Sequence, residues 1–277
     1  MDTRFWGPSG WRLLHLITFQ AKNMNKPDVE LFFTNLPYVL PCKFCRASLS
    51  DYYVEDPIPK TLSEYPQWLY RIHNRVNDKL RSQNLLDTPN PSWQDIKKRY
   101  EEWIKIACSK QRMIGWDFLF SVAYTTPCKV VASSPMPNSP PPKELLTPEL
   151  RNRWSVMSKE ERLPYIEQWW HTLPEVMPYK EWSTTWKKHV QKMPRLSKGR
   201  VAITTWLFGA EKTMCSKLLE DAPHSSYSEL CTELQTFASG CSKSVTRRVK
   251  TCRSKSKGKD TVKKRRQKLY EATGGYL

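Results

Sequence analysis

Along most of the chain before Phe237, apolar residues recur three and four positions apart, the period of an amphipathic helix. No run alternates with the period of two that a half-buried strand requires. Trp11, Leu14 and Thr18 share one face, His15 lies one turn beyond Trp11, and Pro8-Ser9-Gly10 provides a start signal. A second apolar run extends from Val29 to Val39. Pro41 stands directly before Cys42, where a missing N–H costs a helix nothing, so a third helix is expected to begin at Cys42-x-x-Cys45. Thr61-x-x-Glu64 reads as a capping box opening a helix through Trp68, Ile72, Val76 and Leu80. Ser92-x-x-Asp95 starts another through Ile96, Tyr100 and Trp103. The fold class expected is therefore all-α, with five helices in the first hundred or so residues.

Residues 126–148 contain seven prolines and are expected to form a linker or extended loop. Helical signals resume at Thr147-Pro148 and at the capping box Ser158-x-x-Glu161. The second half is an imperfect echo of the first. "GWRLLHLITF" from Gly10 matches "GWDFLFSVAY" from Gly115, and "FFTNLPYVLPCKFC" from Phe32 matches "WWHTLPEVMPYKEW" from Trp169. "WLY" at Trp68 matches "WLF" at Trp206. In that alignment His15 becomes Phe120, Cys42 becomes Tyr179 and Cys45 becomes Trp182, so a helical scaffold is kept and its polar site is lost. The expected organisation is a first helical domain over 1–110, a degenerate helical repeat over 111–240 and a flexible tail over 241–277.

The net charge is +18, and it is uneven. From Lys243 to Lys268 thirteen Lys and Arg face Asp260 alone, which leaves +6 for everything else. A stretch so charged and so poor in apolar residues reads as disordered, either a solvated terminus or an arm for weak nucleic-acid contact. The apolar run "GWRLLHLITFQ" is too short and too polar for a signal-peptide core, and no stretch reaches membrane-spanning length. A soluble chain with no membrane partner and no secretory route of its own is expected.

Eight cysteines in 277 residues are too few for a disulfide-built scaffold, and the single Cys-x-x-Cys lacks the second pair a zinc ribbon needs. At a helix start, Cys42 and Cys45 have their thiolates favoured by the dipole and are competent for exchange. A thioredoxin-like context would require a preceding strand, and this one is helical. His73, Asn74 and Asn77 place an imidazole and an amide on one helix face with a second amide beside them. Such groups can bond the polar edge of a ligand without a glycine-rich phosphate loop. Trp11 and His15 offer flat faces for stacking.

Three motifs stand in order: "GPSGWRLLH" from Gly7 to His15, "PCKFC" at Cys42 and Cys45, and "HNRVNDKL" from His73 to Leu80. Together they resemble the FAD-linked sulfhydryl oxidases of the Erv/ALR family over about residues 5–105. The opening "FWGPSGW" is most similar to members encoded by large DNA viruses, which implies host cytoplasm or virion as the compartment. The resemblance implies FAD as cofactor, held by Gly7, Pro8, Ser9, Trp11, Arg12, His15, Cys45, His73, Asn74, Val76, Asn77, Leu80, Arg99 and Tyr100. It implies that Cys45 lies against the flavin, while Cys42 is more exposed and exchanges with protein dithiols. Electrons then pass to molecular oxygen, giving hydrogen peroxide. Cys241 and Cys252 are candidates for a shuttle pair on a flexible arm.

Two departures weaken the phosphate contacts: Pro8 stands where the family has Arg, and Ser82 stands at a basic position, beside Arg81. Cys108 and Cys128 are too far apart to match the structural pair of cellular members. Members of the family pair two identical units through apolar helix faces, so the echo is expected to make an internal pseudo-dimer, the alternative being a homodimer. The rival function is an inert structural or nucleic-acid-associated protein acting through its tail.

Overall fold

The computed structural model describes residues 1–106, 110–126 and 147–238, which among them hold eleven α-helices and no strand. The first five are α1 (Thr3–Gln20), α2 (Lys26–Val39), α3 (Lys43–Glu55), α4 (Tyr65–Ser82) and α5 (Trp93–Lys105). Helix α1 starts five residues before the expected signal, because the Asp2 carboxylate caps it by accepting from the Arg4 N–H at 2.9 Å. Pro8 is thus inside the helix, in its second turn, where its missing N–H leaves the Arg4 carbonyl without its helical donor. Cys42 is the N-cap of α3, as the Pro41 signal predicts. The Thr61 box differs from its expectation: a 3-10 turn, Leu62–Glu64, intervenes and the Thr61 hydroxyl bonds the Glu64 side chain. Helix α4 begins after it with Pro66 in its first turn, where φ is preset and no N–H is needed. Ser92 caps α5 by accepting from the Asp95 N–H at 3.1 Å.

The remaining helices are α6 (Trp116–Thr125), α7 (Pro148–Arg153), α8 (Lys159–Thr172), α9 (Lys180–Val190), α10 (Gly199–Leu218) and α11 (Tyr227–Thr236). Apart from α7, they follow the order of the first five. A 3-10 turn, Leu196–Lys198, precedes α10 as Leu62–Glu64 precedes α4. Tyr179 is the N-cap of α9, with the extended backbone that Cys42 has before α3. Trp68 Nε1 donates to the Asp56 carbonyl at the end of α3, and Trp206 Nε1 donates to the His189 carbonyl at the end of α9, both at 3.0 Å. Ser226 caps α11 as Ser92 caps α5.

The two sets face each other through matching helices: α1 lies on α6 and α2 on α8. Phe32 stacks on Trp169, its own counterpart, at 5.1 Å. A methyl on Gly10 would meet the Phe118 ring at 3.1 Å, and one on Gly115 would meet the Leu13 side chain at 2.6 Å. Because Leu13 and Phe118 occupy matching positions in the sequence echo, these contacts are reciprocal between the two sets. Gly115 also has φ +99°, so glycine is needed there on both counts. Phe32, Phe118, Trp169 and Trp170 are fully buried, so one continuous core runs through both sets.

Candidate functional site

Helix α1 carries Trp11 and His15 on one face, and α4, packed against it, carries His73. His15 Nε2 and His73 Nδ1 are 3.0 Å apart, both rings are buried, and the Trp11 ring stacks on His73 at 3.9 Å, tilted by 11°. Burial lowers the His15 pKa to about 3; burial, and then His15 itself, hold His73 well below its ordinary value. Both imidazoles are therefore neutral at pH 7, one donating its N–H to the lone pair of the other. Tyr100 of α5 closes the cluster 5.2 Å from His15 and stacks on Phe19 and Trp103. Its hydroxyl is buried with no hydrogen-bond partner.

One turn along α4, buried Asn77 donates to Asn90 Oδ1 at 3.2 Å, and Asn90 donates to Asp78 at 3.1 Å. Asn74, Val76 and Leu80 are half-buried on the same helix. Arg99 lines an open cleft of about 500 Å³ with Trp103, Pro91 and Lys98. Gly7 borders open space, and Arg12 Nε reaches the Pro8 carbonyl at 3.4 Å. Ser9 turns the other way: its hydroxyl accepts from the Phe118 N–H of α6 at 3.4 Å. Arg81, the basic residue beside Ser82, is held by Asp78 and by the Thr88 carbonyl.

The cysteine pair sits where α2 turns into α3. Cys45, Ser48 and Tyr52 share one face of α3, and the last two touch α4: Lys79 Nζ lies 2.6 Å from Ser48, and Tyr52 donates to the Arg75 carbonyl at 3.5 Å. Cys45 is thus on the side that looks toward the histidine helix. The expected exposures are reversed, for Cys42 is only 4% exposed and Cys45 is the half-buried one. The cause lies in the second half, where α7 packs on α3 and α8 on α2, covering the corner between them. Arg153 pairs with Asp51, and Asn152 donates to the Pro37 carbonyl at 3.1 Å. Tyr165 stacks on Tyr38 at 4.1 Å.

Sequence reasoning missed Asn90, Phe19 and Trp103, which complete the histidine cluster. Trp103 was detectable as the residue one turn beyond Arg99; Asn90 lies in a loop, where no periodicity marks it. Cys241, Cys252, Cys108, Cys128, the basic tail and most of the proline-rich insertion lie outside the described residues.

The donor set is chemically suited to FAD. Two neutral imidazoles, a stacked indole, paired amides and an unsatisfied phenol can meet flat rings and hydroxyls, and the charges of Arg12 and Arg99 both act on Tyr100. Residues 8–101 match the Erv1 / Alr family model. That segment holds all of α2, α3 and α4 and ends within α5. A stretch of 85 residues is also 29% identical to the mitochondrial FAD-linked sulfhydryl oxidase ERV1 of Saccharomyces cerevisiae, covering 29% of this chain and 45% of that protein. The chain thus spans less than half of that relative's length. No solved structure matches the chain. Among the described residues, no helix is long and apolar enough to cross a membrane.

Proposed function

We propose that residues 1–110 are an FAD-linked sulfhydryl oxidase that makes disulfides in protein dithiols. The observation that supports this most is the neutral His15–His73 pair, with Trp11 stacked on His73, on α1 and on α4, the latter packed against the helix that begins at Cys42-x-x-Cys45. Trp11, His15, His73, Asn74 and Asn77 would hold the adenine and ribose, while Arg12 and Arg99 would meet the phosphates. Bound FAD would accept the electron pair from the cysteine pair and deliver it to oxygen, with hydrogen peroxide as the product.

The chain's own thiols do the rest. A substrate thiolate attacks Cys42 of the Cys42–Cys45 disulfide, and Cys45 leaves as a thiolate on the α4 side. The second substrate thiolate then attacks the substrate sulfur of the mixed disulfide, and Cys42 leaves. Two protons come off the substrate, and its two electrons stay on the cysteine pair. Flavin absorbance of the purified chain, together with oxygen uptake driven by dithiothreitol, tests the reading. A colourless chain that consumes no oxygen would leave the inert, tail-binding alternative.

The second helical set is, in this proposal, a degenerate copy that takes the place of a second subunit. Support comes from the shared helix order, the Phe32–Trp169 stack and the reciprocal Gly10–Phe118 and Gly115–Leu13 contacts. The faces of α1 and α2 that a homodimer would use are covered from within the chain.

A further inference from the structure

The family-matched segment ends at residue 101, yet one of the residues converging on the cysteine corner comes from well beyond it. Arg162, in the second turn of α8, is 6% exposed and donates from Nη1 to the Tyr38 carbonyl at 3.4 Å. Its Nε is buried with no hydrogen-bond partner. Arg46, one turn into α3, donates to the Leu40 carbonyl at 2.9 Å. These two carbonyls lie at the end of α2, immediately before Pro41 and Cys42. The arginines are close enough to repel: burial and then Arg46 lower the Arg162 pKa to about 9.

Among the described residues no carboxylate acts on Arg162. Glu161 is taken by Arg151 at 2.6 Å, and Asp51 by Arg153. Glu149 acts on the Tyr38 phenol, whose titration it raises together with burial. A buried guanidinium without a counter-ion is costly, on the order of several kcal/mol, and persists where an anion is present for part of the protein's working cycle. The anion generated at this corner is the thiolate of Cys42, itself 4% exposed and at the N-cap of α3.

We propose that Arg162 is a positioning residue for the cysteine pair: reaching over from the second helical set, it joins Arg46 in fixing the α2–α3 corner and stabilises the Cys42 thiolate. This rests on the reading of Cys42 as the sulfur that forms and leaves the mixed disulfide. In that step Cys42 is the leaving group, and a thiolate of lower pKa leaves faster. The second set would thereby serve the reaction directly as well as completing the core.

The test follows alkylation of Cys42 by iodoacetamide against pH in the full-length, reduced Cys45→Ser chain, read by mass spectrometry of the Cys42 peptide. Each profile is normalised to its own high-pH plateau, so that limited access cancels. With Arg162 intact the midpoint should lie below ~8.5, the value of a free cysteine. Arg162→Met should raise it by about one pH unit, a roughly tenfold smaller thiolate fraction at pH 6.5, while Arg162→Lys keeps most of the effect. A midpoint at or above ~8.5 in the parent overturns the proposal without any Arg162 variant, so it is decided even if Arg162→Met fails to fold. An unchanged profile in folded Arg162→Met overturns it as well. Because alkylation needs neither flavin nor oxygen, failure of the oxidase reading would show separately, as a colourless chain.

Discussion

The two helical sets hold opposite kinds of histidine. Between α1 and α4, His15 and His73 are neutral and bonded to each other, and Trp11 stacks on His73. In the second set Phe120 stands at the place of His15, and Glu211, five residues after Trp206, stands where His73 follows Trp68. His224, from the loop before α11, packs edge-on against Phe120 at 5.3 Å and is clamped from both nitrogens. Nδ1 lies 2.9 Å from Glu211, and Nε2 lies 3.1 Å from Glu233. Burial alone would lower the His224 pKa, but the two carboxylates outweigh it and raise it to about 9. The first pair is flat and uncharged, suited to meeting a ring. The second is an imidazolium with both donors engaged, which leaves nothing to offer a cofactor. The place of each cysteine is likewise taken by aromatic packing, Tyr179 against Trp182 at 4.9 Å. The two sets thus pack a similar helix order around different polar groups.

The largest expected difference between the halves is catalytic. Cys45→Ser should abolish dithiothreitol-driven oxygen uptake by at least about a thousandfold while the chain keeps its flavin colour, because the ring contacts lie on α1 and α4. Trp182→Phe, at the matching place, should leave turnover within about twofold. The flavin-to-chain ratio should be about one, as only one set keeps the polar contacts. Full turnover in Cys45→Ser, or two flavins per chain, would break the comparison.

Next in size is the seam. Phe32→Ala and Trp169→Ala should each cost about 3–5 kcal/mol, since each removes a fully buried ring. Because the two rings stack on each other, the double variant should cost less than the sum, by roughly 1 kcal/mol. Denaturation followed by tryptophan fluorescence should show both halves unfolding in one transition. Two separated transitions would show that the sets fold independently.

The helix order was legible because its signals are local. Pro41 before Cys42, Ser92-x-x-Asp95 and Ser158-x-x-Glu161 all mark starts at the caps that form. The Pro8 signal misled because Asp2 caps α1 first and the helix runs on through the proline. The histidine motifs could be read as a site because their spacing puts each ring on a helix face. Burial of Cys42 could not be read that way. It depends on α7 and α8 folding back over the α2–α3 corner, more than a hundred residues away in sequence, and the same holds for Arg162. His224 was invisible for a related reason: a lone loop histidine acquires meaning only from the carboxylates that meet it.

The two histidine sites should respond to pH in opposite directions. The folded pKa of His224 is raised, so its contribution is complete below its unfolded value of 6.5 and is lost as pH climbs through about 9. The folded pKa of His15 is lowered, so its contribution is complete above 6.5 and is lost as pH falls toward about 3. The His224 effect is on the order of 3 kcal/mol, or roughly 6–12 °C in the unfolding midpoint. Melting curves of the parent chain and of His224→Gln between pH 6 and pH 9.5 should converge at the alkaline end. Parallel curves would mean that the clamp contributes nothing that titrates.

The smallest effect comes from two serines that do the same structural work in different surroundings. Ser92 accepts from the Asp95 N–H at 3.1 Å to cap α5, and Ser226 accepts from the Glu229 N–H at 3.2 Å to cap α11. Replacing either by Ala removes one capping bond and should cost about 1 kcal/mol, so the two variants should melt alike. Their consequences for the proposed site should differ. Helix α5 holds Tyr100 against His15 and carries Arg99 and Trp103 along the open cleft, so loosening its first turn should speed flavin release several-fold. Helix α11 buries Leu230 and Leu234 in the core, packs Tyr227 against Phe208 and, through Glu233, holds one side of the His224 clamp. Ser226→Ala should therefore leave flavin release unchanged. Flavin fluorescence after dilution, measured on both variants at equal stability, separates the cases, and equal release rates would mean that α5 is scaffold and no part of the site.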